Sequence, residues 1–190
     1  MTIAPLSPNQ REKQHQIIEA AKAVLLREGI AGCTARVLAD ESSFSRSAIH
    51  YYFGSMDEIV DAAMASHLAD FVGDLKATAA AHEDPVARFW AVTERYLVAL
   101  GEQPERTMLW FDFSIASVRG GHPEPAIAIE VALREVLAGL LRDCGVKDWK
   151  VRSEAVLAFM IGTTLRRVLH PGSPLRDVRD QLTGISGVSR

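Results

Sequence analysis

An all-α fold is predicted by three features of this 190-residue sequence. Apolar residues recur at three- and four-residue spacing along most of the chain, and sustained period-two alternation is missing. Val and Ile are scattered among Ala, Leu, Glu and Arg at the same helical spacing. Glycine, proline and capping residues cut the pattern into helices of ordinary length. The organisation expected is a three-helix head over residues 8–54 and a larger helical domain over residues 55–190.

After a Pro-containing tail, residues 8–28 place Ile17, Ala21, Val24 and Leu25 on one face, and Gly29 stands where a helix C-cap belongs. Thr34 is a good N-cap for a short helix to about Ser42, with Val37, Leu38 and Ala39 on its buried side. The turn Ser42-Ser43-Phe44 follows, and Ser45 caps a third helix over about 46–52. Ser55 with Glu58 three residues on makes a capping box for a long helix from Met56 to Ala80, its stripe being Ile59, Ala63, His67 or Leu68, Phe71 and Leu75. Asp84 caps and Pro85 starts a fifth helix to about Leu100.

Gly101 to Pro104 break the chain before an apolar sixth helix, about Glu105 to Val118, which Gly120, Gly121 and Pro123 end. Two long helices, about 124–143 and 148–169, are separated by Gly145. A break from His170 to Pro174, a short helix near 175–182 and a frayed tail close the chain.

Residues 34–53 have the parts of a helix-turn-helix: two short helices, a tight turn with a buried apolar residue, and a second helix with a polar and aromatic start. Leu38, Ala39, Phe44 and Ile49 have the spacing of its small core, with Phe53 beside them. That leaves Ser45, Arg46, Ser47, His50 and Tyr51 facing outward, hydrogen-bonding groups suited to phosphates and base edges of double-stranded DNA. Thr34, Arg36, Tyr52 and Ser55 complete the expected contact set. Packing is the competing role for Tyr51 and Tyr52, and a solvated surface position for Arg46 and His50.

The segment FSRSAIHYYFGSMDEI, preceded by an amphipathic helix and TARVLADES, resembles the head of the TetR family of bacterial helix-turn-helix regulators over about Gln10 to Ala63. Phe44, Ser45, Ile49, Tyr52, Phe53, Ser55 and Ile59 fit the family's pattern or its close variants. Ser43 and Ser47 stand where glycine is usual, His50 where tyrosine is usual and Met56 where lysine is usual. A serine forced to positive φ in the turn costs about 1 kcal/mol relative to glycine. Loss of the lysine should flatten the salt dependence of DNA binding by about one unit of slope. Helix-start amides at Ser45 and Ser55 remain available to phosphate. An imidazolium at His50 adds a phosphate contact, so operator affinity is expected to rise as pH falls from about 7 to 6. Flat affinity across that window rules His50 out as a phosphate ligand.

The resemblance further implies a ligand-responsive repressor: a homodimer on a palindromic operator, with a small-molecule effector in the C-terminal domain. Helix five carries Phe89, Trp90, Thr93 and Tyr96, and helix six Met108, Trp110, Phe111, Asp112 and Phe113, so helix six is expected to be buried on several sides. Such a concentration lines apolar ligand pockets and equally fills ordinary cores. The expected ligand-binding set is Phe89, Trp90, Met108, Trp110, Phe111 and Met160, with Asp112 and Thr163 as orienting polar groups. The last two long helices carry Ile129, Leu133, Val136, Leu137 and Leu140, then Ala155, Val156, Phe159, Met160, Gly162 and Thr163. Small residues there permit the close approach of a four-helix dimer interface, intramolecular packing being the alternative.

Composition bounds these readings. The net charge of −3 conceals a head of residues 1–53 with six bases against five acids, so charge alone does not point to DNA. The run MTIAPLSPNQ lacks a secretory pattern, no stretch of about 18 apolar residues occurs, and Cys33 and Cys144 lie far apart, which together predict a cytoplasmic protein without membrane contact. His15, His50, His67, His82, His122 and His170 do not cluster, and neither a phosphate-cradling glycine loop, a nucleophile elbow nor zinc-type cysteine pairing occurs. No enzyme activity, cofactor or metal is therefore expected. The rival reading is a ligand-binding or protein-interaction module whose helix-turn-helix has lost DNA affinity, motivated by Met56, Ser43, Ser47 and the weak local charge.

Overall fold

The computed structural model describes residues 7–172 and 176–189. Among these are nine helices and no strand: α1 (Pro8–Gly32), α2 (Ala35–Glu41), α3 (Arg46–Tyr52), α4 (Met56–Ala80), α5 (Pro85–Gly101), α6 (Pro104–Gly120), α7 (Glu124–Asp143), α8 (Trp149–Leu169) and α9 (Arg176–Ser186). Most of the expected Pro-containing tail, Ser173 and Pro174 of the last break, and Arg190 lie outside the described residues. The chain divides into two compact units, Met1–Leu68 and Ala69–Arg190.

In the first unit, Ser7 and Gln10 form a reciprocal capping box ahead of Pro8, which fixes the start of α1. Gly29 interrupts that helix at φ 70° and ψ −177°, a conformation only glycine adopts readily, and one short turn follows to Gly32. Ile17, Ala21, Val24 and Leu25 are buried, joined by Leu38 of α2, Ile49 of α3, Phe53, and Ile59 and Ala63 of α4.

The division lies inside α4, whereas the sequence reading places the boundary at 54/55 in front of it. The first turns of α4 belong to the head physically: Ile59, Val60, Ala63 and Met64 are buried, and His67 Nε2 lies 3.4 Å from the carbonyl of Lys22 in α1. At the start of α4 the expected capping box is only half formed. Ser55 Oγ accepts from the Glu58 N–H at 3.1 Å, but the Glu58 carboxylate reaches one residue further back, to the Gly54 N–H at 2.8 Å.

The second unit starts with the cap predicted for it. Asp84 accepts from the Ala87 N–H at 2.7 Å and Pro85 opens α5. Phe89, Tyr96, Phe113, Leu141, Leu157 and Met160 fill the interior. Gly121, at φ 77°, ends α6 while the His122 N–H closes back on the Ser117 carbonyl at 3.1 Å.

Helix α6 differs from its expectation. Thr107, Leu109, Phe113 and Ser117 point inward, but Met108, Ile115 and Val118 are 43%, 49% and 66% exposed. Its apolar count describes composition, not direction, and only one face meets the unit's interior. The chain end also departs from the frayed tail expected of it. Helix α9 continues to Ser186, Arg152 Nη1 donates to the Ile185 carbonyl at 2.7 Å, and Leu182 and Val188 are buried, each worth roughly 1.5–3 kcal/mol. Both cysteines are unbridged and packed. Burial pushes the Cys33 thiol up to about 11, and the Cys144 thiol donates to the Pro85 carbonyl at 3.3 Å.

Candidate nucleic-acid interface

The geometry of α2 and α3 is set by hydroxyl caps. Thr34 Oγ1 accepts from the Val37 N–H at 3.3 Å, and Ser45 Oγ accepts from the Ala48 N–H at 3.2 Å while meeting Ser47 Oγ at 3.0 Å. Between the caps, Ser42 Oγ accepts from the Phe44 N–H at 3.3 Å, closing the turn. Among the described residues no non-glycine residue has positive φ, so Ser43 does not carry the strain expected of it.

With Ile49 and Phe53 buried beneath, α3 presents Arg46, Ser47, His50 and Tyr51 outward, and Tyr51 is 72% exposed. Thr34, Arg36 and Ser45 are exposed as well. Tyr52 is half-buried, its ring 6.3 Å from Phe44 and 5.1 Å from Tyr51 in edge contacts. Its carbonyl accepts from Gln14 Nε2 at 3.0 Å, which ties the C-terminal end of α3 to α1. Gln14 thus helps hold the angle of α3, a role that only a contact across 38 residues reveals.

Ion pairing decides which cations face outward unneutralised. Arg27 bonds Glu41 at 2.8 Å and Glu28 at 3.0 Å, which raises its guanidinium pKa further, and Lys22 meets Glu19 at 2.9 Å. Arg11, Lys13, Arg36 and Arg46 make no ion pair among the described residues. The modest net charge of the head is therefore redistributed, with bases left open at the start of α1 and on the helix-turn-helix. The start of α4 is less suited to phosphate than the sequence suggests. Asp57 and Glu58 occupy its first turn, the Glu58 carboxylate holds the Gly54 N–H, and Met56 brings no charge beside Ser55.

Residues 17–63 match the family model of the bacterial regulatory proteins of the tetR family. Over those residues the head is similar to that family. A nicotine-responsive helix-turn-helix transcriptional repressor of Paenarthrobacter nicotinovorans is 26% identical over 111 residues, which span 58% of this chain and 57% of that protein. The helix-turn-helix regulator PksA of Bacillus subtilis is 35% identical over 60 residues, 32% of this chain and 29% of that one. The chain thus matches little more than half the length of the first relative and under a third of the second.

Among solved structures, a TetR regulator of Haloarcula marismortui has a TM-score of 0.78 at 22% identity, covering 93% of this chain and 97% of that one. The regulator FadR of Bacillus subtilis, solved with stearoyl-CoA, has a TM-score of 0.71 at 14% identity over 92% and 97%. The likeness in fold to these structures therefore extends through the second unit as well as the head.

In that second unit one of the expected ligand-binding residues borders a cavity. A small apolar cavity is lined by Leu75, Val92, Tyr96, Leu133, Val136, Leu137 and Met160, so of the eight expected residues only Met160 lines it. Phe89 is fully buried core, 5.2 Å from the Trp90 ring, and the Arg179 guanidinium lies 4.8 Å over Trp90. Thr163 is buried on α8, Trp110 and Phe111 are half-buried, and Met108 and Asp112 are exposed. The residues that line this cavity were legible in the sequence only as helical core stripes.

No helix among the described residues is long and apolar enough to cross a membrane. None of the described His, Cys, Asp and Glu residues group in threes able to hold a metal ion.

Proposed function

We propose that this protein is a sequence-specific, DNA-binding transcriptional regulator that acts as a homodimer on a palindromic operator, a repressor released by a small, largely apolar ligand. The outward face of α3 carries the reading. Arg46, Ser47, His50 and Tyr51 are all exposed on a seven-residue helix whose other face is anchored by Ile49, matching the recognition helix of a helix-turn-helix. Arg46, one residue into that helix and without an ion pair, is the principal cationic contact, and Arg36 supports it. The names of the similar proteins, nicotine-responsive in one case and bound to stearoyl-CoA in the other, support an effector-responsive second unit.

Dimerisation through α7 and α8 is supported by a seam on α8. Val151, Ala155, Ala158, Gly162, Leu165 and Leu169 alternate at four- and three-residue steps, and all but the half-buried Leu165 are exposed. This is the spacing of a coiled-coil seam, apolar throughout. A Cβ added at Gly162, or at Gly139 on α7, would meet nothing within 4 Å in its own chain, so their smallness serves no packing need there.

Selection of random duplex DNA by the purified protein at low salt tests the regulator reading: an enriched palindrome is expected, and its absence returns the protein to the class of modules without DNA affinity. Arg46→Ala is expected to weaken binding by about 1–3 kcal/mol at one operator position if the guanidinium reads a base edge. An equal loss on every sequence assigns Arg46 to phosphate instead, and no loss at all removes it from the interface.

A further inference from the structure

Helix α3 has seven residues, too few to persist by its own hydrogen bonds, so its placement is dictated by what grips it. Ile49 and Phe53 are buried beneath it, and Ser45 caps its start. Those grips leave one freedom. Apolar packing is non-directional, so α3 can still turn about its own axis over Ile49. A hydrogen bond, which weakens steeply away from its preferred angle, removes that turn.

Gln14 supplies one. The last carbonyls of a helix find no partner within it, and that of Tyr52 accepts from Gln14 Nε2 at 3.0 Å. Gln14 is half-buried in the second turn of α1, whose start is itself fixed by Pro8 and the Ser7–Gln10 capping box. The grip passes on to the surface. The half-buried Tyr52 ring stands edge-on to Phe44 at 6.3 Å and to Tyr51 at 5.1 Å, and among the described residues Tyr52 is the one aromatic neighbour of Tyr51. Gln14, Tyr52 and Tyr51 thus form a chain from α1 to the outward face of α3. A small rotation of α3 carries different costs for the two kinds of DNA contact. Base-edge hydrogen bonds demand direction and are lost, whereas attraction between a guanidinium and a phosphate falls only with distance.

We propose that Gln14 is a positioning residue for sequence reading: its carboxamide fixes the rotation of α3 about its axis and, through Tyr52, the place of the Tyr51 phenol. It therefore governs discrimination between the operator and other DNA, and not affinity for DNA in general. The proposal rests on the reading of α3 as the recognition helix.

Fluorescence anisotropy on labelled duplexes at one salt concentration tests it, comparing the operator enriched by the parent chain with a scrambled duplex of the same composition. Gln14→Met keeps the length and helix propensity of the side chain and removes the donor. Its operator affinity is expected to fall by about 2- to 10-fold, with affinity for the scrambled duplex unchanged. Gln14→Arg restores a donor, so its ratio of operator to scrambled affinity should return toward that of the parent, the added charge raising both affinities alike. Hydrogen exchange without DNA reads the hold itself. The Phe53 amide, which closes α3 on the Ile49 carbonyl at 3.0 Å, should exchange about 2- to 10-fold faster in Gln14→Met, and the Ala48 amide at the capped start should not. An unchanged ratio in Gln14→Met, an equal loss on both duplexes, or unchanged exchange at Phe53 overturns the proposal. Operator selection is read separately: faster Phe53 exchange in a chain that enriches no palindrome sinks the regulator reading alone, and an enriched palindrome indifferent to Gln14→Met sinks the Gln14 assignment alone.

Discussion

Phe89→Ala is expected to destabilise the second unit by about 3–5 kcal/mol, the range for truncating a fully buried aromatic ring. Phe89 has no exposed surface, and it stands edge-on to Trp90 at 5.2 Å and 77°, a contact worth about 0.5–1.5 kcal/mol beyond burial. The backbone around it is independently secured, because Thr93 Oγ1 donates to the Phe89 carbonyl at 3.0 Å, so the loss reports the side chain alone. Thermal unfolding should shift downward by about 6–20 °C for a chain of this length. The measurement discriminates between the two roles that aromatic residues in α5 admit. A pocket-lining ring borders space and is removed cheaply, whereas a ring in close-packed core leaves a cavity that its neighbours fill only in part. A loss below about 1 kcal/mol would return Phe89 to the ligand site.

The same contrast explains which parts of this molecule were legible in its sequence. Helix ends were legible because their causes are local: Thr34, Ser45 and Asp84 each satisfy an amide three residues ahead, and Gly29 supplies a conformation that other residues avoid. The exposed face of α3 followed from the same short range, since burying Ile49 fixes where Arg46, Ser47 and His50 point. What failed depends on contacts between distant segments. The inward direction of α6, the burial of Val188 by the chain end, and the hydrogen bond from Gln14 to Tyr52 have no local signature. The small cavity of the second unit belongs to that group too. Tyr96 shares helical spacing with the core residues Phe89 and Val92, and only the packed helices show that Tyr96 and Val92 border the cavity while Phe89 does not. The half-formed capping box is an intermediate case: the motif Ser55-x-x-Glu58 is present, but Gly54 lets the carboxylate settle one amide earlier.

Ala158→Glu is expected to convert a dimer of twice 20.8 kDa into a monomer, read by light scattering on a size-exclusion column. Position 158 lies midway along the exposed seam of α8, and Glu154 and Gly162, four residues to either side, offer the new carboxylate no base. In a two-fold interface each substituted chain meets its own substitution or its own apolar seam, so the carboxylates are buried unpaired or brought face to face. The helix itself should persist, since an exposed Ala-to-Glu change costs only a few tenths of a kcal/mol in propensity. Operator binding should fall by about 10²–10⁴-fold, because two linked heads engage half-sites with an effective concentration that free monomers lack. Retention of the dimer by Ala158→Glu would remove α8 from the interface and shift attention to the exposed Met108, Ile115 and Val118 of α6. Loss of the dimer without loss of operator affinity would instead show that a single head recognises DNA unaided, and the requirement for a palindrome would fall with it.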